Sequence, residues 1–495
     1  MPARADATEL AERVRRKDVH PSELVEVAIA AIERVNPRLN AVIHRMYEKA
    51  RAAAKGELPQ GPFRGVPFVV KDFDGWLAGE PYTQSCRMSQ HFVPAEDAEI
   101  ILRIKRSGVV IMGKTNAPEL GLFGITEPKL HGPTRNPWNL EHTPGGSSGG
   151  TAAIVASRAV PMGHGGDGGG SIRIPASACG LFGLKPSRGR NPMGPALGEA
   201  WGGYVQPGVI TLSVRDCAAM LDWTQGPDVG APYATPPRER PYLEEIRRAP
   251  RKLRIAFSTN AQLGRKTHPD VQAAVKDVAA LCASLGHELE EVPLPIDRDA
   301  LIEAYFAQMT VGAAIGIEYT AAWVGRAATP ADFEPETWLL GTIGRKLTAL
   351  ELQRSRDTCQ TAGRKLGRFF QKYDVFLDGT LAFPPIKIGQ LALKPAERAL
   401  LAALRVASPP KLLLDKVLAE FGPKALAFTP NTQVANQTGL PAMSVPLCWN
   451  AAGLPIGTQF TAPLGDEATL FQLAAQLEAA RPWAGRVPPV TAHPE

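Results

Sequence analysis

The chain has 495 residues, of which 44% are hydrophobic and 21% charged, close to the average of soluble globular proteins. This composition excludes disordered, collagen-like and disulfide-scaffold chains, and the length allows two or three domains or one large α/β domain. The formal net charge is +6, and the basic clusters are interrupted or followed by acids and apolar residues without interleaved aromatics. The sequence therefore predicts no nucleic-acid partner.

The six cysteines lie far apart, so none has the two-residue spacing of a zinc or redox motif. This spacing predicts buried thiols in a reducing compartment and no bound metal. The N-terminus shows no apolar signal core, and no uncharged apolar run reaches about 18 residues. We therefore expect a cytoplasmic protein without a membrane partner.

The first third of the chain alternates between helix and strand patterns. Apolar residues recur at intervals of three and four from Pro21, which predicts an amphipathic helix capped by Ser22 and ending before Pro37. Residues 65–72 form an apolar run typical of a strand, a helical pattern covers about 95–106, and residues 108–113 read as a second strand. This alternation predicts an α/β fold.

Three regions follow, each with its own composition. Residues 143–190 are rich in glycine, which is typical of backbone that approaches a ligand closely. Residues from about 226 to 428 have Pro- and Arg-rich connections and long helical patterns, including one over 349–373. Residues 431–483 return to strand-like pieces and end in a helix around 470–480, so we expect the last region to share one sheet with the glycine-rich region.

Two glycine motifs resemble nucleotide-binding patterns. Residues 108–115 match the phosphate-loop pattern, but the four residues between its glycines are Val, Val, Ile and Met, which favour a buried strand. Residues 163–168 match the dinucleotide pattern, but the following stretch lacks an immediate helix and the required acid. A nucleotide-binding protein built on residues 108–115 remains the alternative of another class, and no cofactor is expected.

Serine stands inside two of the glycine clusters. Ser147 and Ser148 lie between paired glycines, and Ser171 follows Asp167 and three glycines. Free backbone amides beside a serine suit acyl chemistry, because they can stabilise an oxyanion. A flexible linker is the alternative reading, but apolar runs expected to be strands flank the segment and favour a packed core.

An activated serine needs a base, and the sequence leaves two kinds of candidate. His142 and His164 lie near the clusters and could serve a Ser-His triad, although single histidines beside turns are more often structural. Lys71 ends an apolar run and is therefore expected to be desolvated, which favours the neutral amine that can accept a proton. The alternative interpretation is that Lys71 is a surface lysine paired with Asp72.

The two serine clusters, the lysine at the strand end and their order resemble the amidase signature family over most of the chain. The resemblance implies a Ser-cisSer-Lys triad in which Ser171 is the nucleophile, Ser147 the bridging serine in a cis peptide and Lys71 the base. It implies that Ser148, Asp167 and Arg173 support the triad. The implied oxyanion hole consists of the backbone amides of Gly168, Gly169, Gly170 and Ser171.

The resemblance also implies a single α/β/α domain over residues 1–495, with a central twisted mixed sheet covered by helices on both faces. The catalytic core is expected over about 60–220, a variable and mainly helical substrate-entrance region over about 225–430, and a return to the core sheet over about 431–495. Within the variable region, five residues could line a pocket or belong to the core. These residues are Tyr305, Phe306, Met309, Trp323 and Trp338.

Two departures from the family pattern concern the pocket: Gly166 stands where many members have Thr, and residues 378–380 replace a Thr-Pro-Thr run. Residues 199–204 also differ from the glutamine-binding stretch of the amidotransferase branch, which we rank second. The chain looks more like stand-alone bacterial amidases, a group that includes nylon-oligomer hydrolases. We expect an amidohydrolase, not a peptidase, acting on small aliphatic, aryl or oligomeric amides, with esters and urethanes as side substrates. A homodimer is left open.

Overall fold

The computed structural model describes residues 5–264, 266–397, 399 and 410–493. Eleven strands lie in these ranges: β1 Val42–Arg45, β2 Pro67–Lys71, β3 Val110–Thr115, β4 Met162–Asp167, β5 Phe182–Lys185, β6 Gln206–Thr211, β7 Arg254–Phe257, β8 Glu288–Glu291, β9 Val375–Gly379, β10 Ala442–Trp449 and β11 Pro455–Thr461. The helices of the first half are α1 Ala7–Arg15, α2 Pro21–Leu39, α3 Tyr47–Lys55, α4 Glu99–Arg106, α5 Gly149–Ala156, α6 Arg173–Cys179, α7 Val214–Thr224 and α8 Tyr242–Glu245. The helices of the second half are α9 Pro269–Ser284, α10 Arg298–Val324, α11 Pro335–Gly344, α12 Ala349–Lys372, α13 Lys411–Leu426, α14 Gln433–Thr438 and α15 Glu467–Ala480.

All eleven strands belong to one mixed sheet with the order β1-β3-β2-β4-β6-β5-β10-β11-β9-β7-β8. β2 runs parallel to β3 and β4, β7 runs parallel to β8 and β9, and the remaining neighbours are antiparallel. β10 pairs with β5, so the C-terminal region and the glycine-rich region share this sheet, as predicted. The predicted α/β fold with a central mixed sheet is confirmed.

Helices cover both faces of the sheet, and β2 shows how the sequence requires this. Successive strand residues point to opposite faces. Phe68 and Val70 pack in a cluster with residues of α4, α7 and α15, whereas Val69 packs with residues of α2, α5 and α6. An apolar run that is buried on both sides is typical of an interior strand.

A third apolar cluster lies under α10 and α12 and includes Phe376 of β9. By length and composition alone, α10 is apolar and long enough to cross a membrane. However, 56% of its most apolar stretch of 18 residues is buried within the protein. Because it packs against α11 and α12, its composition is that of a core helix.

Several predicted element boundaries were wrong. The N-terminal cap of α2 is His20, whose Nδ1 accepts a hydrogen bond from the amide of Ser22, and the helix passes Pro37 before Asn40 ends it with a φ of 51°. Pro37 lies in the last turn of α2, so only two helical residues follow the position at which it removes a hydrogen bond. One of the apolar runs that flank the serine clusters and were expected to be strands, residues 152–155, is part of the buried helix α5.

Both nucleotide-like glycine motifs lie in the interior of the sheet. Residues 110–115 form β3, which pairs with β2 and β1, and residues 162–167 form β4, which pairs with β6 along its length. A phosphate loop needs backbone amides that point at a ligand. The backbone groups of these two strands form hydrogen bonds with neighbouring strands. Neither strand is therefore a loop whose amides could bind the phosphates of a nucleotide.

Candidate active site

Lys71 is the last residue of β2 and is completely buried. Its Nζ lies 2.9 Å from the Oγ of Ser147 and 2.7 Å from Oδ2 of Asp74. Asp72, the partner of the alternative reading, instead forms an ion pair with Lys114. The structure thus places Lys71 in the interior, in direct contact with one of the predicted serines.

Ser147 and Ser148 lie in the loop that leads into α5. The peptide bond between Gly146 and Ser147 is cis, as the resemblance implies. A side chain at Gly146 would lie 2.8 Å from the backbone of Ile125, so this close approach requires glycine. The amide of Ser148 donates to the carbonyl oxygen of Ser171 at 3.2 Å, which joins the two serine clusters.

Ser171 lies in the short loop between β4 and α6 and keeps 9% of its surface exposed. Of the four amides predicted for the oxyanion hole, that of Gly170 donates to Oδ1 of Asp167 at 2.7 Å. Within the described ranges the amides of Gly168, Gly169 and Ser171 donate to no protein acceptor. Three of the four predicted donors are therefore available to a substrate oxygen.

Asp167 and Arg173 form a fully buried ion pair beneath this loop. Arg173 donates through Nε and Nη2 to the two carboxylate oxygens of Asp167, both at 2.9 Å. Burial by itself opposes ionisation, but the guanidinium beside it lowers the pKa of Asp167 to about 2. The ionised carboxylate also accepts from the amide of Gly170, and the pair thereby fixes the loop that carries Ser171.

Residues from distant segments of the chain also form hydrogen bonds with Arg173 and with the loop of Ser171. Arg173 also donates to the side-chain oxygens of Gln459 in β11 and Asn436 in α14, each at 2.6 Å. Thr432 donates to the carbonyl oxygen of Gly169 at 2.6 Å. These contacts tie the C-terminal region to the loop of Ser171.

Sequence reasoning missed the roles of Asp74, Thr432 and Asn436. Asp74 has one local signal, an acid three residues after the lysine in a loop that follows a buried strand. Thr432 and Asn436 have none, because they reach the site through tertiary contacts with residues about 260 positions earlier in the chain.

Neither candidate histidine is placed to act as a base. His164 lies in β4 and is completely buried, and neither of its ring nitrogens has a hydrogen-bond partner among the residues that the structure describes. Burial lowers its pKa to about 3, so it is neutral at physiological pH. In the part of the chain that the structure describes, no hydrogen bond joins His142 or His164 to Ser147, Ser148 or Ser171.

A cavity of about 1270 Å³ opens beside the serines. Ser147, Ser171, Gly168 and Gly169 contribute to its wall, together with apolar and aromatic side chains of α10 and α11. Four of the five residues considered for a pocket line it, namely Tyr305, Phe306, Met309 and Trp323. Trp338 does not, and packs instead against Phe333 and Arg345.

Two glycines of the loop accommodate groups that approach very closely. A Cβ at Gly169 would lie 2.3 Å from the hydroxyl of Tyr305, and a Cβ at Gly170 would lie 2.2 Å from the hydroxyl of Thr432. Gly170 also has a φ of 122°. Glycine is thus required here by contact as well as by backbone conformation.

The described residues contain no group of three or more His, Cys, Asp or Glu side chains that could hold a metal ion. In the site, a buried amine contacts a hydroxyl, a second serine opens to a cavity, and beside it lie backbone amides that have no acceptor among the described residues. This arrangement can move a proton from a serine and stabilise negative charge on an acyl oxygen.

Comparisons with known proteins agree with this chemistry. The family model described as "Amidase" matches residues 23–471. The chain is 36% identical to the 6-aminohexanoate-cyclic-dimer hydrolase of Paenarthrobacter ureafaciens, over 98% of this chain and 96% of that protein.

Solved structures give the same picture. A 6-aminohexanoate cyclic dimer hydrolase complexed with substrate superimposes with a TM-score of 0.88 at 34% identity, covering 99% of this chain and 100% of that chain. A bacterial aryl acylamidase of the amidase signature family gives a TM-score of 0.84 at 26% identity, covering 97% of this chain and 99% of that chain.

Proposed function

The chain belongs to the amidase family of amide C–N hydrolases, and from this premise we propose that Ser171, Ser147 and Lys71 form its catalytic triad. The observation that carries the proposal is the 2.9 Å contact between Lys71 Nζ and Ser147 Oγ, in a wall of the cavity that also contains Ser171. In this arrangement Lys71 is the base, Ser147 the proton carrier and Ser171 the nucleophile, in the order that the resemblance implies.

The proposed reaction begins with proton transfer. Neutral Lys71 accepts the proton of Ser147 while Ser147 accepts that of Ser171, and Ser171 Oγ attacks the amide carbon. The amides of Gly168, Gly169 and Ser171 stabilise the oxyanion. When the C–N bond breaks, the relay returns the proton to the leaving amine, and an ester between Ser171 and the acyl group remains.

The second half of the reaction reverses the relay. Water replaces the amine beside the ester, loses a proton through Ser147 to Lys71, and attacks the acyl carbon. Collapse of the second tetrahedral intermediate returns the proton to Ser171 and releases the carboxylic acid. No step needs a group that the chain does not supply.

We propose small aliphatic, aryl or oligomeric amides as substrates, including cyclic dimers of 6-aminohexanoate. The size of the cavity, about 1270 Å³, exceeds that of most small-molecule sites and suits an extended or cyclic substrate. Its aromatic and apolar lining favours uncharged methylene chains and aryl groups. Similarity to the cyclic-dimer hydrolase over nearly the whole chain supports the same substrate class. Esters and urethanes are proposed as side substrates because they present a similar carbonyl.

The test combines labelling with turnover. Intact-mass measurement after exposure to a fluorophosphonate should show one adduct on Ser171, and Ser171→Ala should show none. Turnover of the cyclic dimer should fall by at least about 1000-fold in Ser171→Ala and in Lys71→Ala. Full activity in either variant would refute the triad. Glutamine serves as the comparison substrate, because ammonia release from it would instead favour the amidotransferase alternative.

A further inference from the structure

An aspartate occupies the space beside the proposed base. The carboxylate of Asp74 lies 2.7 Å from Lys71 Nζ, and its side chain is only 8% exposed. Asp74 has a φ of 64°, so an unusual backbone conformation turns the loop after β2 back toward the lysine. It also contributes to the wall of the cavity that contains Ser147 and Ser171.

Gly166 in β4 makes room for this carboxylate. A Cβ at position 166 would lie 2.2 Å from Oδ2 of Asp74, the same oxygen that contacts Lys71. Any side chain at this position would therefore displace the carboxylate. Gly166 is one of the two departures from the family pattern noted above, and its absence of a side chain is the condition for the contact between Asp74 and Lys71.

We propose that Asp74 is a positioning residue for Lys71, holding Nζ toward Ser147 and stabilising the ammonium that forms when Lys71 accepts a proton. The proposal rests on the proposed function, since it assigns a role around the same base. In a buried site, a carboxylate in contact with an amine stabilises the protonated amine strongly. The transition state in which Lys71 takes up the proton is stabilised in the same way.

The other charged or titratable groups around Lys71 do not replace Asp74. Asp72 is paired with Lys114. Burial keeps His164 neutral by lowering its pKa, and keeps the phenol of Tyr82 neutral by raising its pKa well above the usual value. Within the described ranges, Asp74 is therefore the carboxylate in hydrogen-bonding contact with Nζ.

Asp74→Asn keeps the shape of the side chain and removes its charge. We expect kcat to fall about 10- to 100-fold at the alkaline plateau, because the ammonium that forms in the transition state loses its counter-charge. KM should change less than about threefold. The acidic limb of the kcat/KM profile should move to lower pH, because the neutral amine then persists under more acidic conditions. Glu290→Gln, which removes a carboxylate paired with Lys372 on the surface, is the control and should leave the profile unchanged.

A second pair of variants tests the contact from the other side. Gly166→Ala should lower kcat because its methyl group displaces the carboxylate. In an Asp74→Gly background the same substitution should cost less than about threefold, because the carboxylate is absent. Equal effects of Gly166→Ala in the two backgrounds would overturn the proposal, and this comparison remains available if Asp74→Asn fails to fold.

The results also separate this proposal from the proposed function. If Ser171→Ala and Lys71→Ala abolish turnover while Asp74→Asn has wild-type kcat and an unshifted acidic limb, Asp74 has no such role and the triad stands. A lower kcat with an unshifted limb would likewise overturn the role, because packing loss alone would produce it. If Lys71→Ala is fully active, the triad itself is wrong.

Discussion

The buried pair of Asp167 and Arg173 allows a prediction with a calculable size. Arg173→Met keeps much of the volume of the side chain but leaves the carboxylate of Asp167 buried without its cation. Both side chains are fully buried, and two hydrogen bonds of 2.9 Å join them. Breaking a buried pair from one side costs about 3 to 5 kcal/mol. Two further hydrogen bonds, to Gln459 and Asn436, are lost with the guanidinium, so we expect the upper half of this range.

The control is an exposed ion pair of the same residue classes. Arg45 donates to Glu33 at 2.6 Å, and the two side chains are 47% and 44% exposed. Removing such a pair through Arg45→Met should cost less than about 1 kcal/mol, because water replaces the lost contact. Arg173→Lys is the intermediate case, since it keeps the charge but lacks the planar fork of donors that matches the two carboxylate oxygens.

Urea denaturation at pH 7, followed by tryptophan fluorescence and checked for reversibility, measures the difference. A loss of about 4 kcal/mol would be a large part of the 5–15 kcal/mol that stabilises a typical domain. We expect the order wild type, Arg45→Met, Arg173→Lys, Arg173→Met from most to least stable. A cost below 1 kcal/mol for Arg173→Met, or equal to that of Arg45→Met, would refute the assignment of the pair as the anchor of the loop.

Two further predictions concern the cavity wall. Gly169→Ala should lower kcat by about 100-fold, comparable to losing one oxyanion donor, because its Cβ would meet the hydroxyl of Tyr305 at 2.3 Å. Adding Tyr305→Phe removes that hydroxyl and should restore at least tenfold, and no recovery would contradict the clash. Burial raises the pKa of Glu119 to about 8, so the folded protein loses stability as pH rises from near 4.5, the ordinary value, to about 8. Glu119→Gln removes this loss of stability. In urea titrations between pH 5 and 8, the free energy of unfolding of the variant minus that of the wild type should therefore grow by up to about 1.4 kcal/mol per pH unit. A difference that stays constant over this pH range would contradict the prediction.

Patterns of neighbouring residues were sufficient to predict an element where those neighbouring residues themselves determine its structure. The apolar run that ends at Lys71 predicted a strand, and the structure buries this strand on both faces, which is where a continuous apolar strand is found. The four apolar residues between Gly108 and Gly113 argued against a phosphate loop because such residues favour a buried strand, and β3 occupies that place. Pro37 misled the prediction because α2 continues through it to Leu39, and the left-handed conformation of Asn40, not the proline, ends the helix.

The residues of the candidate site likewise fall into those that local sequence predicted and those that it did not. The order of Lys71, Ser147 and Ser171 within their glycine-rich surroundings was readable from the sequence alone, since each residue stands in a distinctive local context. Asp167 and Arg173 lie within one short segment and were predicted as supporting residues, but their ion pair was found only in the structure. By contrast, nothing local distinguishes Thr432 or Asn436, which contact the loop of Ser171 across about 260 residues.

The sequence by itself indicated the α/β class, the lysine and the two serines that we propose as the triad, and, through its resemblance, the family of amide hydrolases to which the chain belongs. Only the tertiary structure decided that Lys71 contacts Asp74 instead of Asp72, that Gly170 gives its amide to Asp167, and which aromatic residues of α10 face the cavity. The physical reason is that hydrogen bonds and close contacts depend on distances between segments that fold together. Composition and periodicity specify which face of a segment is buried, but the groups it meets there are set by the packing of the whole chain.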